Sequence, residues 1–385
     1  MKKYLFLVLL LCTFCAFIFL KPNETERGDV GLQLALAGEK FSPLDEDKRL
    51  YVITGIDYIP YELIELFEDL TGIKVIVDIF DSNEIMEAKL LAGGAQYDIV
   101  FPTAWPHFSR QLKAGVYQEL DKTRLNFAVF DQDILKRLSA YDQNNMHAIP
   151  YQFGISGIGL DEKIVNGLIK NAPKDSLALL FDPIYAERIS KHRISVYESP
   201  NELFPAVLAY LGLNPETESE DDIIKAAEHL KKIRRFISKF TSFGFEDLSS
   251  GNACAVLSTS GDVLRVSRDN HMPNIKFFCP KEGASLWVDV VAIPLGAKHI
   301  NNIYAFLRFL LHPLVISRIT NKTSRANAVI EANKYVNKSL INNPDIYPSV
   351  AVRKKCYIEK PLTPSAESLR TRLFTKIKSM EKIDD

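Results

Sequence analysis

The sequence predicts an α/β fold in which crossover helices join the strands of a parallel sheet, divided between two domains. Three observations support this fold class. From residue 48 onward, β-branched runs such as IKVIVDIF (73–80) alternate with segments of helical periodicity. Helix start and stop signals separate these segments. The length of 385 residues is too great for one compact core.

The first half of the chain shows the alternation most clearly. The predicted strands share β-branched and apolar residues and lie at residues 49–54, 73–80 and 97–101. The helix between the first two begins near Pro60, which suits a first-turn position, and ends at Gly72. Asp81 is expected to cap the next helix, which the glycine pair 93–94 ends.

The second half predicts a further α/β region. Segments of helical periodicity lie at residues 201–211, 221–240, 301–312, 313–321 and 364–380. Strand-like runs lie at residues 253–257, 275–278 and 286–293. The segment 221–240 begins with acidic residues and carries the basic run KKIRR (231–235), which suits the helix dipole.

Residues 1–37 predict an export signal or an N-terminal membrane anchor. Lys2 and Lys3 precede the uncharged stretch 4–20, which is long for a cleaved signal and short for a transmembrane helix. The nearest small-residue cleavage pattern, at 35–37, lies well downstream. We therefore expect a periplasmic protein, exported and either released or anchored to the inner membrane by residues 4–20.

Charge and cysteine content argue against several classes of function. With 47 basic and 48 acidic residues, the net charge of -1 provides no overall field for nucleic acid. Downstream of the leader, Cys254, Cys279 and Cys356 are an odd number that cannot form a fully paired disulfide framework, and we expect buried apolar cysteines. The sequence predicts neither a metal site nor a cofactor, since it has no His pair at i, i+4 and no C-x-x-C pattern beyond the leader.

One predicted strand end points to a ligand. The run Ile99–Phe101 stops at Pro102 and is followed by Thr103 and Trp105, one of two tryptophans in the chain. Ligands of open α/β sheets bind at the carboxyl ends of strands. Thr103 and Trp105 are therefore candidate ligand contacts.

Eight stretches of the chain resemble one family. They are DYI (57–59), FDSNEIMEAKLLAGGAQYDIVFPTAW (80–105), RQLKAGVYQELDK (110–122), IPYQFGISGIGLDEK (149–163), SPNELFPAVLAYLGLNP (199–215), SGDVL (260–264), PKEGASLWVDVVAIP (280–294) and NNPDIYPS (342–349). From about residue 48 to the C-terminus, and in this order, they are similar to the extracytoplasmic polyamine-binding proteins of ABC importers, which bind putrescine or spermidine.

The resemblance implies a type II periplasmic-binding-protein fold, an α/β fold with two lobes, a hinge and a central ligand cleft. Its first lobe would contain residues 48–152 and about 290–325, and its second lobe residues 153–289 and about 326–385. The implied function is capture of a small cationic polyamine and its delivery to ABC permease and ATPase subunits. We expect a monomer that is not an enzyme.

The resemblance also implies ligand-binding residues. Asp262 and Asp289 match aspartates that bind ammonium groups, and Glu202 matches a glutamate. The other matching positions are Asp57, Tyr58, Thr103, Thr241 and Trp287. Asp289 is the strongest candidate, because an acid within the apolar run LWVDVVAI is unfavourable without a cationic partner. Taken alone, Asp262 is equally consistent with a helix N-cap, and Glu202 with a first-turn residue favoured by the helix dipole.

Three positions depart from the family pattern. Gly55 and Thr259 replace two aromatic residues, and Trp105 and Phe153 are candidates to restore the lost ring surfaces. Arg325 stands where the family usually has Tyr. At an effective dielectric constant of about 20, charges about 4 Å apart interact by about 4 kcal/mol, so a guanidinium facing the cleft would offset about one carboxylate.

Arg325 therefore leaves three interpretations open. It pairs with an acid such as Glu202, it binds the anionic end of a zwitterion such as a basic amino acid, or it points into solvent. A secreted enzyme is a separate alternative. GISGIG (154–159) lacks the spacing of a nucleophile elbow, and STSGD (258–262) has no nearby His. A sensor anchored by residues 4–20 would keep the same pocket without a transporter.

Overall fold

The computed structural model describes residues 31–39, 41–80, 82–92, 96–358 and 362–380. The predicted signal or anchor at residues 4–20, the predicted cap Asp81 and the glycine pair 93–94 lie outside the described residues. The strands are β1 Arg49–Gly55, β2 Lys74–Phe80, β3 Ile99–Val100, β4 Ala148–Asp161, β5 Ile194–Val196, β6 Lys239–Phe240, β7 Ala255–Thr259, β8 Ile275–Phe278, β9 Leu286–Ala292 and β10 Ala326–Asn327.

The helices alternate with these strands. They are residues 31–36 (α1), α2 Tyr61–Thr71, α3 Asn83–Leu91, α4 Ser109–Lys113, α5 Gln132–Leu138, α6 Glu162–Leu168, α7 Ala178–Phe181, α8 Pro183–Ser190, α9 Pro200–Tyr210, α10 Glu220–Ile233, α11 Gly244–Ser249, α12 Ser260–Asp269, α13 Ile300–Leu310, α14 Pro313–Thr323, α15 Lys338–Ile341, α16 Val350–Arg353 and α17 Pro364–Lys378.

Two helix ends differ from the sequence prediction. Ser82 is the N-cap of α3, where its hydroxyl accepts a hydrogen bond from the Ile85 amide, so the assignment of the cap to Asp81 is wrong. The predicted helix 221–240 ends at Ile233, because residues 239–240 pair in parallel with β5. The stop signal at Gly72 is confirmed, since this residue adopts φ 70 and its amide donates to Glu68 O.

The strand order is β2-β1-β3-β9-β4-β7-β5-β6, and β8 and β10 also pair with β4. The predicted parallel pairing is confirmed where β1 joins β2 and β3. A second parallel group joins β5 to β6 and β7. The strand β9 runs antiparallel to both β3 and β4, so the sheet is mixed and not wholly parallel.

Buried apolar side chains form two clusters that meet at β4. The first cluster contains β1, β3, β9 and the helices α13 and α14. The second contains β5 and the helices α8, α9, α10 and α17. Ile155 of β4 belongs to the first cluster, and Ile158 belongs to the second. One strand of 14 residues therefore contributes to both cores.

The N-terminal part of the described chain packs against the first cluster, where Leu32 and Leu36 of α1 are buried. These residues lie within the segment 1–37 that the sequence assigns to export. Among the described residues, no single helix is long and apolar enough to cross a membrane. Within the described ranges, α13 and α14 taken together meet the criterion by length and composition, and they are bent by 67° relative to each other.

The three cysteines downstream of the leader are free thiols. Cys254 and Cys356 are buried and Cys279 is partly buried. Burial raises the pKa of Cys254 and of Cys279 to about 12. The prediction of buried, apolar cysteines is confirmed for Cys254 and Cys356, whereas Cys279 is only partly buried.

Candidate functional site

Asp289 of β9 accepts two hydroxyl hydrogen bonds in the interior of the protein. Tyr58 Oη donates to its Oδ2 across 2.8 Å, and Thr103 Oγ1 donates to its Oδ1 across 2.8 Å. The residue is 3% exposed. Burial raises the pKa of Asp289, although Arg325 and the two hydroxyl groups act in the opposite direction. The predicted cost of an acid in this apolar strand is therefore partly offset by neutral donors.

The sheet brings these three residues together. Tyr58 follows β1 and Thr103 follows β3, and these strands are parallel neighbours, so both side chains lie at the carboxyl edge of the sheet. Thr103 forms an isolated antiparallel bridge with Asp289. Asn83, at the start of α3, holds Thr103 through its side-chain amide, which donates to Thr103 Oγ1 at 3.2 Å and accepts from Thr103 N at 3.2 Å.

Gly55 is required by the position of the Tyr58 ring. A Cβ at residue 55 would lie 2.6 Å from Tyr58 Cε2. The Tyr58 ring also stacks with that of Tyr151, with centroids 6.3 Å apart, and Tyr151 Oη donates to Tyr58 O across 2.7 Å. The absence of a side chain at residue 55 therefore leaves the space that the Tyr58 ring occupies.

Asp262 lies in the first turn of α12 and is buried. The N-cap of this helix is Thr259, whose Oγ1 accepts from the Asp262 amide at 3.4 Å and donates to Asp262 Oδ2 at 2.7 Å. The interpretation of Asp262 itself as the N-cap is therefore wrong. Burial opposes ionisation of Asp262, but Arg325 and Thr259 together hold the pKa of its carboxyl below its usual range.

Arg325 is the cationic partner of Asp262. Its Nη2 donates to Asp262 Oδ1 across 2.9 Å, and the guanidinium carbon lies 5.2 Å from the centroid of the Tyr58 ring. The side chain is 16% exposed. Of the three interpretations of Arg325, pairing with an acid is confirmed, but the acid is Asp262 and not Glu202. The interpretation that Arg325 points into solvent is wrong, because its side chain contacts Asp262 and the Tyr58 ring and is mostly buried.

Glu202 lies in the first turn of α9 and is not the ion-pair partner of Arg325. Its carboxyl is partly buried, and in the part of the chain that the structure describes no hydrogen-bond donor reaches it. Burial, followed by the charge of Glu84, raises the pKa of Glu202 to about 7. Binding of a cation beside this buried carboxyl group would stabilise its ionised form.

Arg265 joins Asp57 to the same region. Its Nη1 donates to Asp57 Oδ2 across 3.0 Å, and its Nη2 lies 4.0 Å from Asp262 Oδ1. Sequence reasoning missed Arg265, although its i, i+3 spacing from Asp262 on a predicted helix was a usable signal. Thr259 and Asn83 were also missed as donors, because their roles depend on contacts that no local pattern reveals.

The remaining candidates have other neighbours. Trp105 stacks on Tyr141 with centroids 6.2 Å apart. Phe153 is buried in β4 with its ring edge-on to Tyr347. Thr241 is buried and accepts from the Phe243 amide. The Trp287 ring lies against Gly154, where a Cβ would be 2.4 Å from Cζ2, and its buried Nε1 has no acceptor among the described residues.

A cavity of about 780 Å³ opens beside the cluster, between β2, α2 and α12, and Asp57, Arg265 and Arg325 lie on its wall. No group of three or more His, Cys, Asp or Glu side chains in the described ranges is placed to hold a metal ion. The site therefore combines carboxylates, guanidinium groups and aromatic rings. This combination can bind small charged organic molecules.

Two relatives cover almost the whole chain. The chain is 38% identical to the putrescine-binding periplasmic protein SpuD of Pseudomonas aeruginosa over 361 residues, which cover 91% of this chain and 98% of the relative. It is also 38% identical to the putrescine-binding periplasmic protein PotF of Escherichia coli over 342 residues, covering 87% and 92%.

The fold is that of periplasmic binding proteins, as predicted. The structure matches the spermidine/putrescine ABC transporter substrate-binding protein PotD of Streptococcus pneumoniae with a TM-score of 0.76 and 22% identity, covering 86% of this chain and 98% of that one. Residues 98–349 match the family described as bacterial extracellular solute-binding protein. This chain therefore belongs to the bacterial extracellular solute-binding proteins.

Proposed function

We propose that this protein is the extracytoplasmic solute-binding subunit of an ABC importer and that it captures a small amine of the polyamine class. The observation that carries the proposal is the pair of buried aspartates, Asp262 and Asp289, which lie around the Tyr58 ring at the carboxyl edge of the sheet. The printed names of SpuD and PotF support putrescine as the reference ligand.

The chemistry of the site suits an ammonium group. Carboxylates accept hydrogen bonds from ammonium, and ring faces attract the cation and cover the methylene groups. Asp289 and Glu202 both have raised pKa values because they are buried without a cation bound directly to them. A bound ammonium group would stabilise the ionised form of the carboxyl group that it contacts, so binding energy would be gained there.

The two lobes of the proposed receptor meet near β4. The first lobe comprises residues 48–152 and about 290–325, and the second comprises residues 153–289 and about 326–385. The second hydrophobic cluster lies wholly within the second of these lobes, whereas the first cluster also contains residues between 248 and 288 and between 326 and 356. Closure of the lobes around the ligand would supply the contacts that favour the closed state. The proposed binding residues are Asp57, Tyr58, Thr103, Trp105, Phe153, Glu202, Thr241, Asp262, Trp287, Asp289 and Arg325.

The proposed setting is the periplasm, with the permease and ATPase subunits of an importer as partners. The periplasmic relatives and the charged, apolar and polar order of residues 1–37 support export, with release or anchoring by residues 4–20. The protein acts as a monomer that binds and releases its ligand unchanged. The names of its relatives describe binding proteins, which supports a receptor and not an enzyme.

The test is calorimetric titration of the purified protein with putrescine, spermidine, substituted amines and basic amino acids. The Asp289→Asn variant should bind its best amine at least about tenfold more weakly, because an uncharged amide cannot replace the carboxylate. Asp221→Asn, an exposed acid on α10, is the matched control and should leave the affinity unchanged. Binding of no amine by the folded wild-type protein would reject the proposed function.

A further inference from the structure

The guanidinium of Arg325 stands where a ligand cation is expected. It donates to Asp262 at 2.9 Å, lies over the face of the Tyr58 ring, and acts electrostatically on Asp289. A carboxylate, an aromatic face and a second acid nearby are the environment that an ammonium group of a polyamine requires. The protein thus supplies one cation of its own to this site.

The chain is built to hold this cation in place. Gly261 leaves room for it, since a Cβ at residue 261 would lie 2.9 Å from Arg325 Cγ. Ser324, which ends α14 with φ 58, turns the chain toward α12. Arg268 fixes the turn by donating to Asn321 O at 3.2 Å and to Ser324 Oγ at 2.9 Å. The position of Arg325 is therefore determined by contacts on both sides of it.

Two of the candidate binding residues carry a buried N–H group without an acceptor in the described part of the chain. Arg325 Nη1 and Trp287 Nε1 are buried and have no acceptor within the described ranges 31–39, 41–80, 82–92, 96–358 and 362–380. A fully protonated diamine carries only donors, so neither end of it can satisfy these groups. An oxygen acceptor on the ligand can satisfy them, and buried donors left without one are costly.

A buried acceptor lies on the same face of the sheet. Gln152 is the register partner of Asp289 across β4 and β9, and directly opposed residues of antiparallel strands share a face. Its Nε2 donates to Thr323 Oγ1 at 3.3 Å, and its Oε1 is buried without a donor in the described part of the chain. An amide group offers both the carbonyl oxygen and the N–H that these unpaired groups require.

The charges decide between a neutral and an anionic oxygen. Arg325 is already matched by Asp262 and lies near Asp289, and Asp57 is matched by Arg265. A ligand carboxylate on Arg325 would therefore face two buried acids of its own sign. An amide oxygen avoids this repulsion. Glu202 remains as a carboxyl without a partner among the described residues, and it can take one ammonium group.

We propose that Arg325 replaces one ammonium group of a polyamine and that the site selects mono-acylated polyamines, which have one ammonium end and one amide end. This inference rests on the proposed function and narrows its ligand class. The amide end lies on Arg325, Trp287 and Gln152, and the ammonium end lies on the acidic side of the site. Arg325 is thus a specificity-determining residue that disfavours plain diamines.

The test is titration calorimetry of the full-length protein with N-acetylputrescine, putrescine and 4-aminobutanoate. The wild-type protein should bind N-acetylputrescine at least about tenfold more tightly than putrescine. In Arg325→Gln, the putrescine affinity should rise at least about tenfold and the preference should disappear. Arg188→Gln, at an exposed position of α8, makes the same charge change and should alter neither affinity.

Arg325→Lys keeps the positive charge but loses the planar guanidinium with its paired N–H donors. This variant provides the test if Arg325→Gln does not fold. It should bind putrescine as weakly as the wild type and lose the preference for the acylated ligand. The inference would be overturned if the wild type bound putrescine as tightly as N-acetylputrescine, or more tightly, and if Arg325→Gln did not change the putrescine affinity. The proposed function would then still stand. If 4-aminobutanoate bound most tightly of the three ligands, the inference that the site prefers a neutral amide to a carboxylate would be wrong. Binding of no amine by either folded protein would reject the proposed function itself.

Discussion

The Arg325 guanidinium and the Asp262 carboxylate, 63 residues apart in the chain, lie 2.9 Å apart and join the turn after α14 to the first turn of α12. Both side chains are mostly buried, at 16% and 13% exposure. Removing one partner of a buried pair leaves the other as an uncompensated charge. This ion pair therefore affects both folding stability and ligand choice.

Arg325→Gln should lower the free energy of unfolding by about 3 kcal/mol, because Asp262 would lose its counter-ion in a buried position. The double variant Arg325→Gln, Asp262→Asn should lose less than the sum of the two single variants, since neither charge is then left alone. Urea unfolding at neutral pH measures all three. Strict additivity would show that the two side chains do not interact in solution.

Gly261→Ala should destabilise the protein by about 1–3 kcal/mol, since the new methyl group would lie 2.9 Å from Arg325 Cγ and 3.0 Å from Ser324 O. The matched control is Gly167→Ala in α6, where a Cβ meets nothing within 4 Å. That change should be neutral or stabilising, because alanine is the better helix former by about 1 kcal/mol. Equal effects of both changes in thermal unfolding would contradict the close packing at residue 261.

Glu202 should make stability depend on pH. Its folded-state pKa is raised from 4.5 to about 7, so the folded protein binds more protons than the unfolded chain between these values. Stability should therefore fall as pH rises from about 4.5 to about 7 and then level off. Glu202→Gln should remove this part of the slope, whereas Glu220→Gln, an exposed acid that begins α10, should keep it. An unchanged slope in Glu202→Gln would contradict the raised pKa.

Tyr58→Phe should raise the pKa of Asp289 further, because the ring hydroxyl no longer donates to the carboxylate at 2.8 Å. Loss of this hydrogen bond should also cost about 1 kcal/mol of folding stability. The pH dependence of amine binding and urea unfolding are the two measurements. Tyr335→Phe, at a position that is 44% exposed, is the control and should change neither quantity.

Local sequence signals predicted most helices and strands of the fold. The predictions that failed concern features that depend on tertiary contacts. The glycine at residue 72 ended α2 as expected, because its stop signal depends only on backbone conformation. The helix expected over 221–240 is shorter, since parallel pairing with β5 competes for residues 239–240. The antiparallel placement of β9 depends on partners far away in the chain, which periodicity cannot reveal.

The same distinction applies to the candidate site. Asp289 was identifiable from sequence, because a charge inside an apolar strand requires compensation. Its hydroxyl partners were named as candidates, but their hydrogen bonds to it could not be inferred. Pairing of Arg325 with an acid was one of three interpretations, with Glu202 as the example. No local pattern distinguishes Glu202 from Asp262 as the partner, and the structure places Arg325 beside Asp262 after the turn at Ser324.

The unbroken run of β4 also limits how this chain can misfold. Its residues pair with β9 and β10 at one end and with β7 and β8 at the other. A slip of one residue would turn Gln152 to the opposite face and, in the same step, invert Ile158 in the other core. A register error of β4 in one hydrophobic core would thus disturb the other core as well. Both cores therefore depend on the same pairing register of this strand.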